Sequence, residues 1–268
     1  TGDVEKTMRK EERGILDRYI RILEALAASR SGLTLTELVS YTELSKGTLH
    51  RLIKSLMQVG LLAPRDGRKV YVVGPRFLRL LYMGAAPSSV STFAQPILDD
   101  LAARFDQTAF VAQLFDSEVR SVAIALPNSE NKASIQPGRI MPLHAAASAK
   151  AIWAFQEESL IDSVMKNDHP RYSKHTIVGK DAIRAELDMV RHQEFAVCDQ
   201  ELDHGVLSLA CPVDIEGPGV IFSIAVVGTV QGLGQYPRDA VVSSLREAAK
   251  EFATSIPAKL KDMATFPL

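Results

Sequence analysis

Lys46, Thr48, His50, Arg51 and Lys54 fall on one side of a helical projection that opens at Ser45. Cationic side chains pair with phosphates, while short hydroxyls, His and Arg can reach base edges, so this residue set suits contact with a polynucleotide. Gly47 stands within the same row. A short distance on, Arg65-Asp66-Gly67-Arg68-Lys69 joins an Asp-Gly turn signal to three cations. A second cluster of small and weakly polar residues lies far downstream, around Ala145–Lys150. It looks like a helix start at which backbone N–H groups can approach an anion closely, with Ser148 adding a hydroxyl.

The elements that must position the first cluster can be read from periodicity. Leu49, Leu52, Ile53, Leu56 and Met57 recur at the spacing of one buried helical stripe, and Ser45 is placed to cap that helix. Gly60 stands at its end, and Leu61-Leu62 starts a strand. Thr34 or Thr36 caps a shorter helix in front of it, and a two-stranded hairpin with the basic turn follows. The order helix, turn, helix, hairpin over Thr34–Val73 describes a winged helix-turn-helix, which sets its second helix in the major groove of DNA. An earlier apolar stripe, Ile15, Tyr19, Ile22, Leu23, Leu26 and Ala27, supplies a first helix to pack on the other two.

Charge divides the chain in the same way. The net charge is −1, but residues 1–83 hold 15 Lys and Arg against 9 Asp and Glu, a net of +6, and the remainder holds 16 against 23, a net of −7. A basic head on an acidic body is expected where only the head meets a polyanion. The 268 residues favour about two domains. No apolar run approaches the roughly 20 residues of a membrane span, and no secretory pattern is visible, so a cytoplasmic protein without membrane contact is expected. Cys198 and Cys211 have neither CxxC spacing nor a matching His set, so neither a disulfide framework nor a metal site is expected.

After Gly74-Pro75 comes a short helix with Phe77, Leu78, Leu81 and Tyr82 apolar, and Pro87-Ser88-Ser89 reads as the least structured segment nearby. From Phe93 onward helices and strands alternate: a helix at 93–105, strands at 108–115 and 119–126, and a short strand at 139–143. An Ala-rich helix at 145–155, a second at 158–166 and a third at 180–192 follow. Three strands at 195–198, 207–213 and 220–227 lead to a closing helix at 237–255. The expected fold is α+β with a central, mostly antiparallel sheet. The expected division is a winged domain at 1–74, a linker helix at 75–92 and a binding domain at 93–268.

Four fragments in order resemble the isocitrate lyase regulator (IclR) family of bacterial transcription factors. They are Leu44-Ser45-Lys46-Gly47-Thr48-Leu49-His50-Arg51-Leu52, Tyr71-Val72-Val73-Gly74-Pro75-Arg76, Pro142–Ala151 and Gly205–Val213. The resemblance implies a winged N-terminal domain, a linker helix and a C-terminal effector domain similar to the GAF fold. It implies dimers or tetramers on palindromic double-stranded operators, acting as repressor or activator, with small organic acids or aromatics as effectors and no cofactor. On this basis DNA contact falls to Ser45, Lys46, Gly47, Thr48, His50, Arg51, Lys54, Arg65, Arg68 and Lys69. Effector contact falls to Met141, Ala147, Ser148, Cys198, Val206, Ser208, Ala225 and Val227.

Two positions depart from the family pattern: Gly47 replaces a small hydroxyl residue, and Ala149 replaces a Gly. Apolar Ala225 and Val227, with Cys198 in place of a carboxylate, point to a less polar effector whose acid group lies near Ser148 and Ser208. The competing reading is a redox-sensing regulator that uses Cys198 and Cys211. An enzyme is not expected, because GxSxG, HExxH, P-loop and complete GxGxxG motifs are all missing, and Gly232-Leu233-Gly234 reads as a loop. His144, at the start of the Ala-rich helix, reads as a capping or packing residue, and Trp153 as core.

Overall fold

The computed structural model describes residues 14–29, 31–65, 69–83, 87–129 and 135–263. The chain divides into two compact units, Thr1–Tyr82 and Met83–Leu268.

In the first unit α1 (Ile15–Ala27) leads to β1 (Leu33–Thr34), α2 (Leu35–Thr42), α3 (Lys46–Gln58), β2 (Leu62–Pro64), β3 (Val70–Val73) and α4 (Pro75–Met83). Thr34 caps α2 with a reciprocal capping box: its hydroxyl accepts from the Glu37 N–H, and the Glu37 carboxylate accepts from the Thr34 N–H at 2.7 Å. That bond holds the Glu37 carboxyl below the usual range. Ser45 caps α3, accepting from the Thr48 N–H at 3.3 Å. At the far end Gly60, at φ +73°, bonds to the Met57 carbonyl, and the Leu61 N–H reaches back to Leu56 at 2.9 Å. This Schellman closure needs a residue that tolerates the left-handed region.

Ile22, Leu26, Leu38, Leu49, Leu52, Ile53, Leu56 and Leu62 form the buried centre of this unit. The sequence placed three further residues in its stripes that the structure leaves at the surface. Ile15 and Ala27 are exposed because the buried stretch of α1 runs only from Ile22 to Leu26. Met57 is exposed at the rim of α3. The wing is also larger than the two-stranded hairpin read from the sequence. β1 adds to it, giving an antiparallel order β1-β3-β2 with Leu33 opposite Tyr71 and Leu62 opposite Val73.

The second unit is built on a six-stranded sheet, ordered β6-β5-β4-β9-β8-β7, in which every pairing is antiparallel. Its strands are β4 (Thr108–Phe115), β5 (Glu118–Ala125), β6 (Ile140–Met141), β7 (Ala196–Asp199), β8 (Val206–Ile215) and β9 (Gly219–Thr229). Its helices are α5 (Pro87–Phe105), α6 (Ala147–Trp153), α7 (Glu158–Val164), α8 (Lys180–Gln193), α9 (Val230–Gly234) and α10 (Arg238–Met263). The α+β expectation and the central antiparallel sheet therefore hold.

α5 and α10 pack together on one face of the sheet, and α6, backed by α8, covers the other. Side chains alternate between the two faces along each strand. On β8, Ser208 and Ala210 point to the α6 side, whereas Cys211 points to α10. α5 begins at Pro87, inside the stretch read as least structured; proline is well suited to a first helical turn, where its missing N–H would have no partner. Gly232–Gly234 lies in the short helix α9, capped by Thr229, rather than in a loop.

Candidate DNA interface and effector pocket

On α3 the apolar stripe is buried, and Lys46, Gly47, His50, Arg51 and Lys54 are exposed together. Thr48 is half-buried, and its hydroxyl accepts from Ser45 Oγ at 2.9 Å. Both hydroxyls are thus engaged within the helix start as well as being near its open face. His50, Lys54 and Lys69 line one groove between α3 and the wing, with Met57, Gln58 and Tyr71. Arg65 is exposed at the end of β2. Arg68 lies outside the described residues.

The second unit holds a cavity of about 110 Å³ between α6 and the sheet. Met141, Ala147, Ser148, Cys198, Val206, Ser208 and Val227 all line it. Ala225, the eighth position taken from the family resemblance, lies two residues deeper on the same face of β9; it is fully buried and does not line the cavity. The walls are completed by Phe110, Ile135, Ala146, Leu202, Arg139 and Asp203. Of these six only Ala146 fell within a stretch the sequence had marked for ligand contact, the helix start at Ala145–Lys150. Arg139 and Asp203 are the two charged groups, and they pair at 3.5 Å.

α6 is held against the sheet by its backbone. Ser223, buried on β9, donates to the Ser148 carbonyl at 2.9 Å. Ala146 precedes α6 and gives it no side-chain cap. The Ser148 hydroxyl is buried and has no hydrogen-bond partner. Ser208 is different: its Oγ donates to the Val226 carbonyl at 3.0 Å, so its hydrogen is already committed and it offers a ligand only an acceptor. The expectation that Ser208 would help hold an acid group is therefore weakened.

Lys150 is the largest feature that the sequence left unread. Its ammonium is wholly buried and touches Glu201 at 2.6 Å, Glu186 at 3.0 Å and the Val197 carbonyl at 3.0 Å. Burial pushes the Glu201 carboxyl up, with Lys150 opposing that rise. The one available signal was a single charge inside an otherwise small and apolar helix, AAASAKAIWAF, which demands a partner when the helix is buried. The partners lie 36 and 51 residues away, so spacing could not name them.

Beside α6, His144 is buried and shares a 2.8 Å hydrogen bond with the Pro170 carbonyl through Nε2. A carbonyl only accepts, so Nε2 carries the proton of the neutral ring. The ring stacks on Tyr172 and sits 5.0 Å from His169. Burial holds both imidazoles below the usual histidine range. His144 is thus a packing residue, as its position suggested, and Trp153 is buried in the core.

The cysteines are not arranged for redox sensing. Cys198 lines the cavity on the α6 face, whereas Cys211 faces α10 on the other. A sheet separates the two thiols, so they cannot join without moving backbone. Burial raises both, Cys211 to about 12, which suppresses the reactive thiolate. Among the described residues no group of three or more His, Cys, Asp or Glu is placed to hold a metal. No described helix is long and apolar enough to cross a membrane.

A winged head and a separate pocket-bearing α+β body define a DNA-binding transcriptional regulator with a ligand-binding domain. Residues 15–66 match the IclR helix-turn-helix domain, and residues 86–254 match the C-terminal domain of bacterial IclR transcriptional regulators. The chain belongs to the IclR family. It is 31% identical over 203 residues to the probable transcriptional regulator SauR of Cupriavidus necator, covering 73% of this chain and 78% of that one. It is 26% identical over 241 residues to the glycerol operon regulatory protein of Streptomyces griseus, covering 90% and 94%. A crystal structure of an IclR homologue from Microbacterium hydrocarbonoxydans, complexed with 4-hydroxybenzoate, superposes with a TM-score of 0.59 at 22% identity, covering 91% of this chain and 100% of that one.

Proposed function

We propose that this regulator recognises a palindromic operator through the exposed face of α3 and the wing, as a dimer or tetramer, and that a small organic carboxylate in the α6 cavity sets its affinity for that operator. Arg51 and His50 read base edges, while Lys46, Lys54, Arg65, Arg68 and Lys69 pair mainly with phosphates. The observation that carries the effector reading is the cavity itself: a partly open, mostly apolar space with one buried unpaired hydroxyl, Ser148. A group with nothing to bond to is costly unless something occupies the space. The cavity of about 110 Å³ opens to solvent at one end, so a ligand of about one ring can extend through its mouth. The homologue that holds 4-hydroxybenzoate makes an aromatic acid a reasonable first choice. The signal passes to the head through residues 75–92.

Two measurements test this. Selection from a pool of random duplexes is expected to enrich one inverted-repeat sequence, and enrichment of none above non-specific binding removes the operator reading. Calorimetry against a panel of acids is expected to favour benzoate-sized acids, and a preference for glyoxylate or pyruvate removes the aromatic assignment.

A further inference from the structure

The two loops that close the cavity are each fixed firmly to the fold, yet they meet through a weak contact. Arg139 precedes β6, and its backbone is pinned to β5 by the buried Ser121. Ser121 Oγ donates to the Gln136 carbonyl at 2.7 Å and accepts from the Arg139 N–H at 3.1 Å, and the Ser121 N–H donates to the Arg139 carbonyl at 3.1 Å. Asp203 sits in the β7–β8 connection, which is pinned by three side chains. Lys150 holds the Glu201 carboxylate, Thr176 Oγ1 donates to the Glu201 carbonyl at 2.6 Å, and Ser173 Oγ donates to the Gln200 carbonyl at 2.7 Å.

Across the mouth, Arg139 and Asp203 are separated by 3.5 Å, with side chains 41% and 59% exposed. An exposed pair at that distance contributes little, and exchanging its anion for another costs little. Among the described residues Arg139 is also the only cation that lines the cavity, and its planar guanidinium is suited to gripping a carboxylate with two hydrogen bonds.

We propose that Arg139 is the acid-binding residue of the effector site, and that Asp203 occupies it as an internal surrogate until the carboxylate of the effector replaces it. This rests on the effector reading given above, and it moves the acid group from Ser148 to the mouth. The buried Ser148 hydroxyl is then left for a polar group at the inner end of the ligand. The chemical class selected is a small monocarboxylate with an apolar body, and the neutral form of the same molecule is the one rejected.

Calorimetric titration of the full chain with 4-hydroxybenzoate and benzoate, each beside its neutral amide, tests this directly. The wild-type chain is expected to bind each acid at least about tenfold more tightly than its amide, the size of a charge-assisted pair. Arg139→Gln is expected to erase that preference, weakening the acids about tenfold and leaving the amides within twofold. Arg139→Lys, which keeps the charge without the planar fork, falls between. Asp203→Asn is expected to tighten the acids by roughly threefold, because the competitor is gone. Both side chains are exposed, so these variants are expected to fold. Acid affinity unchanged in Arg139→Gln, or weakened in Asp203→Asn, overturns the proposal and leaves the effector reading standing. If neither acid binds the wild-type chain, both fall.

Discussion

Two helix starts, that of α3 in the head and that of α6 in the body, show opposite ways of presenting polar groups. α3 begins with a side-chain cap at Ser45 and carries its cations on an exposed face. α6 begins with no cap, every one of its residues is buried, and its single cation is turned inward onto two carboxylates. An open face serves a ligand as large as a DNA duplex. A closed one serves a small molecule, and the fold must first satisfy whatever charge it buries there. The difference should appear in what each substitution breaks: stability for α6, affinity for α3.

The largest effect is expected at Lys150. Lys150→Met leaves the buried Glu201 and the half-buried Glu186 without their shared cation, and breaking a buried contact by removing one partner costs roughly 3–5 kcal/mol. Urea unfolding of the variant should show a midpoint lowered to match. Replacing Glu201 by Gln in the same chain should recover part of the loss, because a stranded charge disappears with it. If Lys150→Met is as stable as wild type, the contrast between the two helices collapses.

Arg51→Ala on the open face is expected to do the reverse. Thermal unfolding should change little, while operator affinity falls by roughly 1–3 kcal/mol if Arg51 reads a base edge. A variant that weakens every duplex equally would reassign Arg51 to phosphate contact.

The same contrast explains what the sequence could and could not convey. The winged head was legible because its elements are local: the caps at Thr34 and Ser45, the stripe of α3 and the Gly60 stop all act within a few residues. β1 escaped notice because two residues, Leu33 and Thr34, are too short to show a strand period, and only Val70 and Tyr71 make them one. In the body the strands announced themselves, and seven of the eight effector positions carried over by resemblance converge on the cavity. Arg139 and Asp203 could not be found this way, since two exposed charged residues 64 positions apart look like any other surface pair until the sheet brings them together. The partners of Lys150 were hidden for the same reason.

A smaller, pH-dependent effect is expected beside α6. Burial holds His144 and His169 below the usual 6.5, with the Lys150 charge adding to the effect at His144, and His144 and Lys180 adding to it at His169. A depressed histidine contributes stability that is present above its unfolded value and lost as the pH falls through the folded one. The body should therefore unfold at lower temperature as the pH drops from about 7.5 to about 5.5, and His144→Gln with His169→Gln should flatten that slope. Equal slopes in variant and wild type would show that neither ring stays neutral because of its burial.

The smallest effect concerns Gly47, which the family resemblance marks as a departure on the proposed DNA face. A Cβ built there meets nothing within 4 Å, so neither packing nor backbone explains the glycine. Gly74, at the wing exit, is the opposite case: a Cβ would lie 2.3 Å from the Gly60 carbonyl oxygen. Gly47→Ala should therefore stabilise the head by about 0.5 kcal/mol, since alanine loses less conformational freedom in forming α3. Operator affinity should stay the same in the alanine variant. Gly47→Ser restores a hydroxyl beside Lys46 and Thr48, and tighter operator binding in this variant alone would place that hydroxyl in contact with DNA. If alanine and serine tighten binding equally, the gain comes from a better-formed helix, and α3 would then be limited by its own folding rather than by the donors it displays.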